Sequence, residues 1–222
     1  MSPSPDTFTR LLQDRAQLAS PALIERDRPV SYAALADEAR RVAAGFARLG
    51  IGRGDRIALW LPNVPAWLAC FFACAQLGAI AVSVNTRYRS HEVADIVRRS
   101  GARLLVFWPA FKGIDFAEIL AGCDPAALER LEAVVAYGED GAAPGAACLG
   151  KPAVSYAELA ARAPLHQDYA HPEDGCVIFT TSGTTRAPKF VLHDQRTLVR
   201  HAADVAAGFG IGAESVVLLA PP

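Results

Sequence analysis

The sequence has no large excess of charge of either sign and no run of basic residues. Its 222 residues include 22 Lys and Arg against 23 Asp and Glu, which gives a formal net charge of -1. Because nucleic-acid binding depends on basic patches, often combined with aromatic residues, we expect no nucleic-acid partner. The hydrophobic fraction of 52% and the charged fraction of 20% argue against disorder and indicate a globular protein.

The sequence also lacks an even set of cysteines and a recognisable secretion signal. Its five cysteines are an odd number, and residues 1–6 are polar. We therefore expect a reducing, cytoplasmic location. Cys70 and Cys74 are four residues apart and would share a helix face, but no further ligands follow at the spacing of a metal site. We interpret both as buried core thiols and predict no metal site in these residues.

No residue is charged from Ile57 to Thr86, so a membrane span has to be considered. Pro62 and Pro65 interrupt the start of this segment, and Gly78 interrupts its later part. The segment is better explained as a strand, a buried helix and a second strand joined by turns. We predict no membrane span.

Apolar periodicity predicts strands and helices that alternate along the chain. We expect helices near 7–17, 31–50, 64–77, 90–101, 155–163 and 194–208, with Ser31, Ser90 and Asp194 as caps. Strands are expected near 22–26, 56–61, 79–84, 103–108, 131–137, 176–179, 190–193 and 215–220, and a mobile loop near 138–152. This alternation predicts an α/β fold with a mostly parallel sheet and helices on both faces.

One loop is rich in hydroxyl groups and ends in a lysine. It comprises residues 180–189, with the sequence Thr-Thr-Ser-Gly-Thr-Thr-Arg-Ala-Pro-Lys, and it follows the apolar strand at 176–179. Such a loop could hold a polyphosphate through hydroxyl donors, the Gly183 amide and the charge of Lys189. It is not the common NTPase P-loop, because the second glycine and the hydroxyl after the lysine are absent. In isolation, a solvated polar turn is an equally good interpretation.

Surrounding motifs favour the phosphate-binding interpretation. The segment Thr-Ser-Gly-Thr-Thr-x-x-Pro-Lys resembles the phosphate-binding signature of the AMP-forming adenylating superfamily, which includes acyl-CoA and aryl-CoA synthetases, peptide-synthetase adenylation domains and luciferases. The resemblance covers residues 8–222. It includes upstream motifs at 31–35 (Ser-Tyr-Ala-Ala-Leu), 49–58 (Leu-Gly-Ile-Gly-Arg-Gly-Asp-Arg-Ile-Ala), 61–63 (Leu-Pro-Asn), 77–79 (Leu-Gly-Ala) and 84–85 (Val-Asn).

The resemblance implies an ATP-dependent ligase in which a carboxylate attacks the α-phosphate, forming an acyl-adenylate and pyrophosphate. A thiol, usually that of coenzyme A, then accepts the acyl group. The expected cofactors of the complete enzyme are ATP, magnesium and coenzyme A, and its partner is a small-molecule carboxylate. The expected phosphate contacts are Thr181, Ser182, Gly183, Thr184, Thr185 and Lys189.

Two positions depart from the family's pattern. Arg186 stands where a glycine or another small residue is usual, and Phe190 stands where a glycine is usual. Glycine reaches positive φ freely whereas other residues do so only at a cost, so the path of the loop could differ here. Arg186 is either an added cation for the phosphates or a solvated side chain.

The resemblance also implies that residues 1–222 are the N-terminal portion of an AMP-binding domain, with its catalytic residues, acyl pocket and small mobile C-terminal domain beyond residue 222. We expect this portion to be inactive alone. The alternatives are a truncated non-catalytic binding or dimerising module, or an adenylation domain for an amino or aryl acid with a carrier-protein thiol acceptor. In the complete family fold, residues 22–50 would pack on later segments, so we expect their apolar faces to be exposed here and to cause self-association.

Overall fold

A computed structural model describes residues 5–138, 147–181 and 188–219. Within these residues the chain forms seven α-helices and a short 3-10 turn at Pro125–Leu128. The helices are α1 (Phe8–Arg15), α2 (Tyr32–Arg48), α3 (Pro65–Leu77), α4 (Ser90–Ser100), α5 (Phe116–Ala121), α6 (Tyr156–Ala160) and α7 (Gln195–Gly208). The strands are β1 (Pro21–Glu25), β2 (Arg28–Ser31), β3 (Arg56–Trp60), β4 (Ile80–Ser83), β5 (Leu104–Phe107), β6 (Ala110–Phe111), β7 (Ile114–Asp115), β8 (Ala133–Ala136), β9 (Ala147–Cys148), β10 (Lys151–Ser155), β11 (Gly175–Thr181) and β12 (Lys189–Asp194).

The main sheet of the described residues has the order β12-β11-β4-β3-β5-β8-β10-β9. All neighbours from β11 to β10 are parallel, and the outer strands β12 and β9 pair antiparallel with β11 and β10. Two small antiparallel pairs, β1 with β2 and β6 with β7, lie outside this sheet. The prediction of a mostly parallel α/β sheet is confirmed.

The two faces of the sheet pack against different helices. Along β3, Ile57 and Leu59 join an apolar cluster with residues of α1, α2, α3 and α6. The alternate residues, Ala58 and Trp60, join a second cluster with residues of α4 and α5. Because side chains alternate along a strand, a run that is apolar throughout can fill both layers. Helices therefore cover both faces, as predicted.

Helix α2 begins as predicted, but its surroundings differ from the expectation. The Ser31 hydroxyl accepts a hydrogen bond from the Ala34 N–H at 3.1 Å, which caps the helix. The apolar face of α2, including Leu35, Val42 and Phe46, is buried because α3 and α6 pack against it. The expectation that the apolar face of this helix is exposed was therefore wrong.

The cap predicted for α4 was also wrong. Ser90 is the first helical residue, and the N-cap position belongs to Arg89, whose N–H donates to the Glu92 carboxylate at 3.1 Å. The Ser90 hydroxyl donates instead to the Ile119 carbonyl at 2.6 Å. The Ser90 hydroxyl, which was predicted to cap α4, is therefore used in a tertiary contact with α5.

The glycine-rich segment at 138–152 is only partly a loop. Residues 139–146 lie outside the described residues, whereas the end of the segment forms β9 and the start of β10. Ala153 and Val154 of β10 pair in parallel with Val134 and Val135 of β8. A neighbouring strand with unpaired backbone groups thus imposes a structure that the local composition does not indicate.

The prediction of a strand at 215–220 is wrong for residues 215–219, the part that the structure describes. Residues 215–219 belong to no strand, and Val216 and Leu218 are 86% and 88% exposed. A strand requires a hydrogen-bonding neighbour, and none of the described strands pairs with these residues. Apolar content alone was therefore a misleading signal here.

Cys70, Cys74 and Cys176 are free, buried thiols, and burial raises the pKa of each. The described residues contain no group of three or more His, Cys, Asp or Glu side chains that could hold a metal ion. In the same part of the chain, no helix has both the length and the apolar character needed to span a bilayer.

Candidate functional site

The predicted phosphate loop is connected to an antiparallel hairpin at one end of the main sheet. Strand β11 leads into the loop and β12 leads out of it, with register pairs from Gly175–Asp194 to Thr181–Lys189. Thr181 and Lys189 therefore lie opposite each other, and both are exposed. The ladder brings the first and last predicted phosphate contacts together, although eight positions separate them in the sequence.

The other predicted contacts cannot be placed. Ser182, Gly183, Thr184 and Thr185 lie outside the described residues, and so does Arg186. Their assignment as phosphate contacts, and the role of Arg186, therefore remain predictions. The described part of the candidate site consists of Thr181 and Lys189 with the side chains around the hairpin.

The loop end of the hairpin lies at the carboxyl end of the parallel strands. Strand β11 runs parallel to β4, with Ile178 beside Val82. The segment after β4 contributes Tyr88, whose hydroxyl lies 3.2 Å from Oγ1 of Thr180. In open α/β sheets, ligands bind beyond the carboxyl ends of the parallel strands. The position of Thr181 and Lys189 agrees with that rule.

Arg99 of α4 contacts both residues that flank Lys189. Its Nη1 and Nη2 atoms each donate to the Pro188 carbonyl at 2.9 Å, and the guanidinium carbon lies 4.3 Å from the centre of the Phe190 ring. Nη1 also donates to Asp95 Oδ2 at 2.9 Å. Arg99 and Tyr88 were not among the residues predicted from the sequence. Phe190, which stands where a glycine is usual, indicated that the exit of the loop is unusual. Nothing in the sequence identified Arg99 as the residue that contacts its ring.

The base of the hairpin is fixed by two polar side chains at the start of α7. The Asp194 carboxylate accepts hydrogen bonds from the Thr197 N–H at 2.7 Å and from its hydroxyl at 2.8 Å, and these bonds lower the pKa of Asp194. Gln195 is fully buried; its Oε1 accepts from the Phe8 N–H and its Nε2 donates to the Ala75 carbonyl, both at 3.0 Å. Helix α7 is thereby attached to α1 and α3.

The arrangement can supply hydrogen-bond donors and one positive charge to an anion held at the mouth of the hairpin. The Thr181 hydroxyl can donate, and Lys189 provides an ammonium group on an exposed side chain. Arg99, the nearby cation on α4, forms an ion pair with Asp95 at 2.9 Å. The chemistry of these groups fits a phosphate chain.

Comparisons with known proteins agree with the fold. The chain is 34% identical to a CoA ligase of Mycobacterium tuberculosis, 3-[(3aS,4S,7aS)-7a-methyl-1,5-dioxo-octahydro-1H-inden-4-yl]propanoyl:CoA ligase, over 98% of this chain and 41% of that protein. It is 32% identical to the mitochondrial medium-chain acyl-CoA ligase ACSF2 of Rattus norvegicus, over 75% of this chain and 29% of that protein.

A solved structure, the anthranilate CoA ligase AuaEII in complex with anthranoyl-AMP, matches with a TM-score of 0.71 and 26% identity, over 86% of this chain and 36% of that one. The chain thus spans well under half the length of these relatives. The model of the AMP-binding enzyme family matches residues 12–222, nearly the whole sequence, and the chain therefore belongs to the AMP-binding enzyme family.

Proposed function

We propose that residues 1–222 are the N-terminal portion of the AMP-binding domain of an ATP-dependent, AMP-forming acid-thiol ligase. The observation that carries this proposal is the pairing of Thr181 with Lys189 at the carboxyl end of the parallel sheet, at the two ends of the Thr-Ser-Gly-Thr-Thr-x-x-Pro-Lys segment. The substrate class is a small-molecule carboxylic acid, and the thiol acceptor is coenzyme A.

In this proposal the residues of the loop act on the phosphates. Thr181 donates a hydrogen bond, and Lys189 offsets the charge that develops on the departing pyrophosphate; Ser182, Gly183, Thr184 and Thr185 add further donors. Magnesium, when bound, supplies further charge neutralisation at the phosphates. We assign its ligands, the acyl pocket and the catalytic residues to the remainder of the complete enzyme, and we place that enzyme in the cytoplasm.

A substitution at Lys189 in the complete enzyme tests the proposal. We expect Lys189→Ala to lower kcat/KM for ATP by about 100-fold, partly through a higher KM, because Lys189 contacts the phosphates of bound ATP, and partly through a lower kcat, because it stabilises charge in the transition state. Carboxylate-dependent exchange of pyrophosphate into ATP measures the adenylation step directly. Lys151→Ala is the matched control, because the Lys151 ammonium group contacts the Glu129 carbonyl near the opposite end of the sheet. Equal exchange rates for the two variants would contradict the role of Lys189.

Two further comparisons test the rest of the proposal. The 222-residue chain alone should show no carboxylate-dependent pyrophosphate exchange; exchange by this chain would contradict its assignment as an incomplete catalyst. A panel of aliphatic, aromatic and amino acids, each assayed with coenzyme A and with a carrier protein, identifies the substrate. A strict requirement for the carrier protein would favour the alternative adenylation domain.

We also propose that the chain alone self-associates, through a different surface from the one expected from the sequence. Phe209 is 81% exposed, and the consecutive apolar residues Val216, Val217 and Leu218 are exposed as well. Contiguous exposed apolar side chains favour association. Sedimentation over a range of concentrations measures it, and replacing Val217 and Leu218 by Asp should shift the chain to monomer. A wild-type chain that stays monomeric at high concentration would contradict the proposal.

A further inference from the structure

Phe190 stands at the exit of the phosphate loop, and its ring has a specific partner. It is packed against the apolar cluster that lies beneath α4, and the Arg99 guanidinium carbon lies 4.3 Å from the ring centre. A cation at this distance from an aromatic face is attracted to it. The bulky residue at this position is therefore held by a contact that a glycine could not make.

The same guanidinium group also holds the residue before Lys189. Nη1 and Nη2 both donate to the Pro188 carbonyl at 2.9 Å, and Asp95, one helical turn before Arg99, accepts from Nη1 at 2.9 Å. Arg99 is 34% exposed and Asp95 is 19% exposed at the side chain. The planar guanidinium group is thus fixed on α4 by Asp95 while it contacts the hairpin.

Lys189 lies between the two residues that Arg99 contacts. Its backbone pairs with Thr181 in the β11–β12 ladder, and alternation along β12 sends its side chain to the opposite side of the strand from Phe190. Fixing the Pro188 carbonyl and the Phe190 ring therefore fixes the direction in which the Lys189 side chain leaves the strand. Small displacements of a charged group relative to the reacting atoms reduce rates strongly.

We propose that Arg99 is a positioning residue for Lys189: by holding Pro188 and Phe190 against α4, it sets where the Lys189 ammonium group meets the phosphates of ATP. The proposal rests on the proposed function, in which Lys189 contacts those phosphates. In this proposal Arg99 acts through the hairpin: three of its five N–H donors engage Pro188 and Asp95, and we assign it no contact with the nucleotide.

Steady-state kinetics of Arg99→Ala in the complete enzyme test the proposal. We expect KM for ATP to rise about tenfold, the effect of weakening the charged hydrogen bond that Lys189 makes to the phosphates, whereas KM for the carboxylate stays within about twofold. Loss of folded protein would instead lower kcat and leave both KM values unchanged. Arg98→Ala is the control, because Arg98 is the adjacent arginine and pairs with the same Asp95 at 3.7 Å but has an exposed side chain. It should leave KM for ATP unchanged.

A double-mutant cycle separates positioning from a direct phosphate contact. In the Lys189→Ala background, Arg99→Ala should cause no further rise in KM for ATP. An additive rise would overturn the positioning role. If Lys189→Ala raises KM for ATP and Arg99→Ala does not, this inference fails while the proposed function stands. If Lys189→Ala has no effect, the proposed function fails first.

Phe190→Leu supplies a second variant should Arg99→Ala not fold. It keeps an apolar side chain in the cluster and removes only the aromatic face. We expect a rise in KM for ATP of about threefold, the effect of one exposed cation–π contact. Phe190→Tyr keeps the aromatic face and should restore the wild-type KM for ATP. Equal KM values for Phe190→Leu and wild type would contradict the contribution of the ring.

Discussion

The centre of the main sheet and its β11–β12 end use similar apolar sequences in different surroundings. Strands β5 and β8 are buried at every position, because helices cover both faces. Strand β12 contains the equally apolar run Phe-Val-Leu, yet Val191 and Leu192 are exposed. The centre thus stabilises the fold, while the end that carries Lys189 contributes less to stability and leaves its polar groups accessible.

The largest expected effect comes from truncating the same residue in the two regions. Leu105 in β5 is 0% exposed and Leu192 in β12 is 55% exposed. We expect Leu105→Ala to lower the free energy of unfolding by about 2–5 kcal/mol, because it leaves a cavity between packed layers. Leu192→Ala should cost less than about 1 kcal/mol, since its surface is already in water. Denaturant unfolding of the chain measures both, and equal losses would contradict the comparison.

A smaller effect is expected where the end of the sheet is attached to the helices. Gln195→Ala removes the partners of the Phe8 N–H and the Ala75 carbonyl, and we expect a loss of about 1–3 kcal/mol in the free energy of unfolding. The control Gln167→Ala removes an exposed glutamine and should change stability by less than about 0.5 kcal/mol. A result for Gln195→Ala within that range would show that α7 is not held through this side chain.

The same contrast explains which features could be predicted from the sequence. The continuous apolar runs at 56–61 and 103–108 predict buried parallel strands, because burial on both faces leaves no polar alternation to confuse the pattern. The run at 215–220 is similarly apolar, but residues 215–219 pair with no described strand, and the prediction of a strand there was wrong. Whether an apolar run is buried depends on the segments that pack against it, and the local sequence pattern does not specify those segments.

The candidate site divides in a similar way. The sequence predicted both strands and the loop that joins them, whereas their antiparallel pairing, which places Thr181 opposite Lys189, was not predicted. Arg99 and Tyr88 approach the hairpin from α4 and from the segment after β4, about 90 residues away in the sequence. Their positions depend on the packing of the sheet, so neither could be identified from the motif.

The smallest effect concerns the cap that joins β12 to α7. Two hydrogen bonds from Thr197 lower the pKa of Asp194 in the folded chain. This cap therefore makes its full contribution to the free energy of unfolding above the pKa of an unfolded aspartate, about 3.9. The contribution is lost as the pH falls through the lower pKa of Asp194 in the folded chain. At neutral pH we expect Asp194→Ala to cost about 1 kcal/mol in the free energy of unfolding, and the cost should shrink below about pH 4.

Asp194→Asn keeps a capping oxygen that does not titrate, so the difference between this variant and Asp194→Ala should not depend on pH. Asp204→Ala replaces an exposed aspartate on the same helix and should leave the stability unchanged. Denaturant unfolding between about pH 3 and 7 measures all three variants. A cost of Asp194→Ala that stays constant across this range would show that the carboxylate's charge does not contribute to the cap, and that a neutral acceptor would hold the end of the sheet equally well.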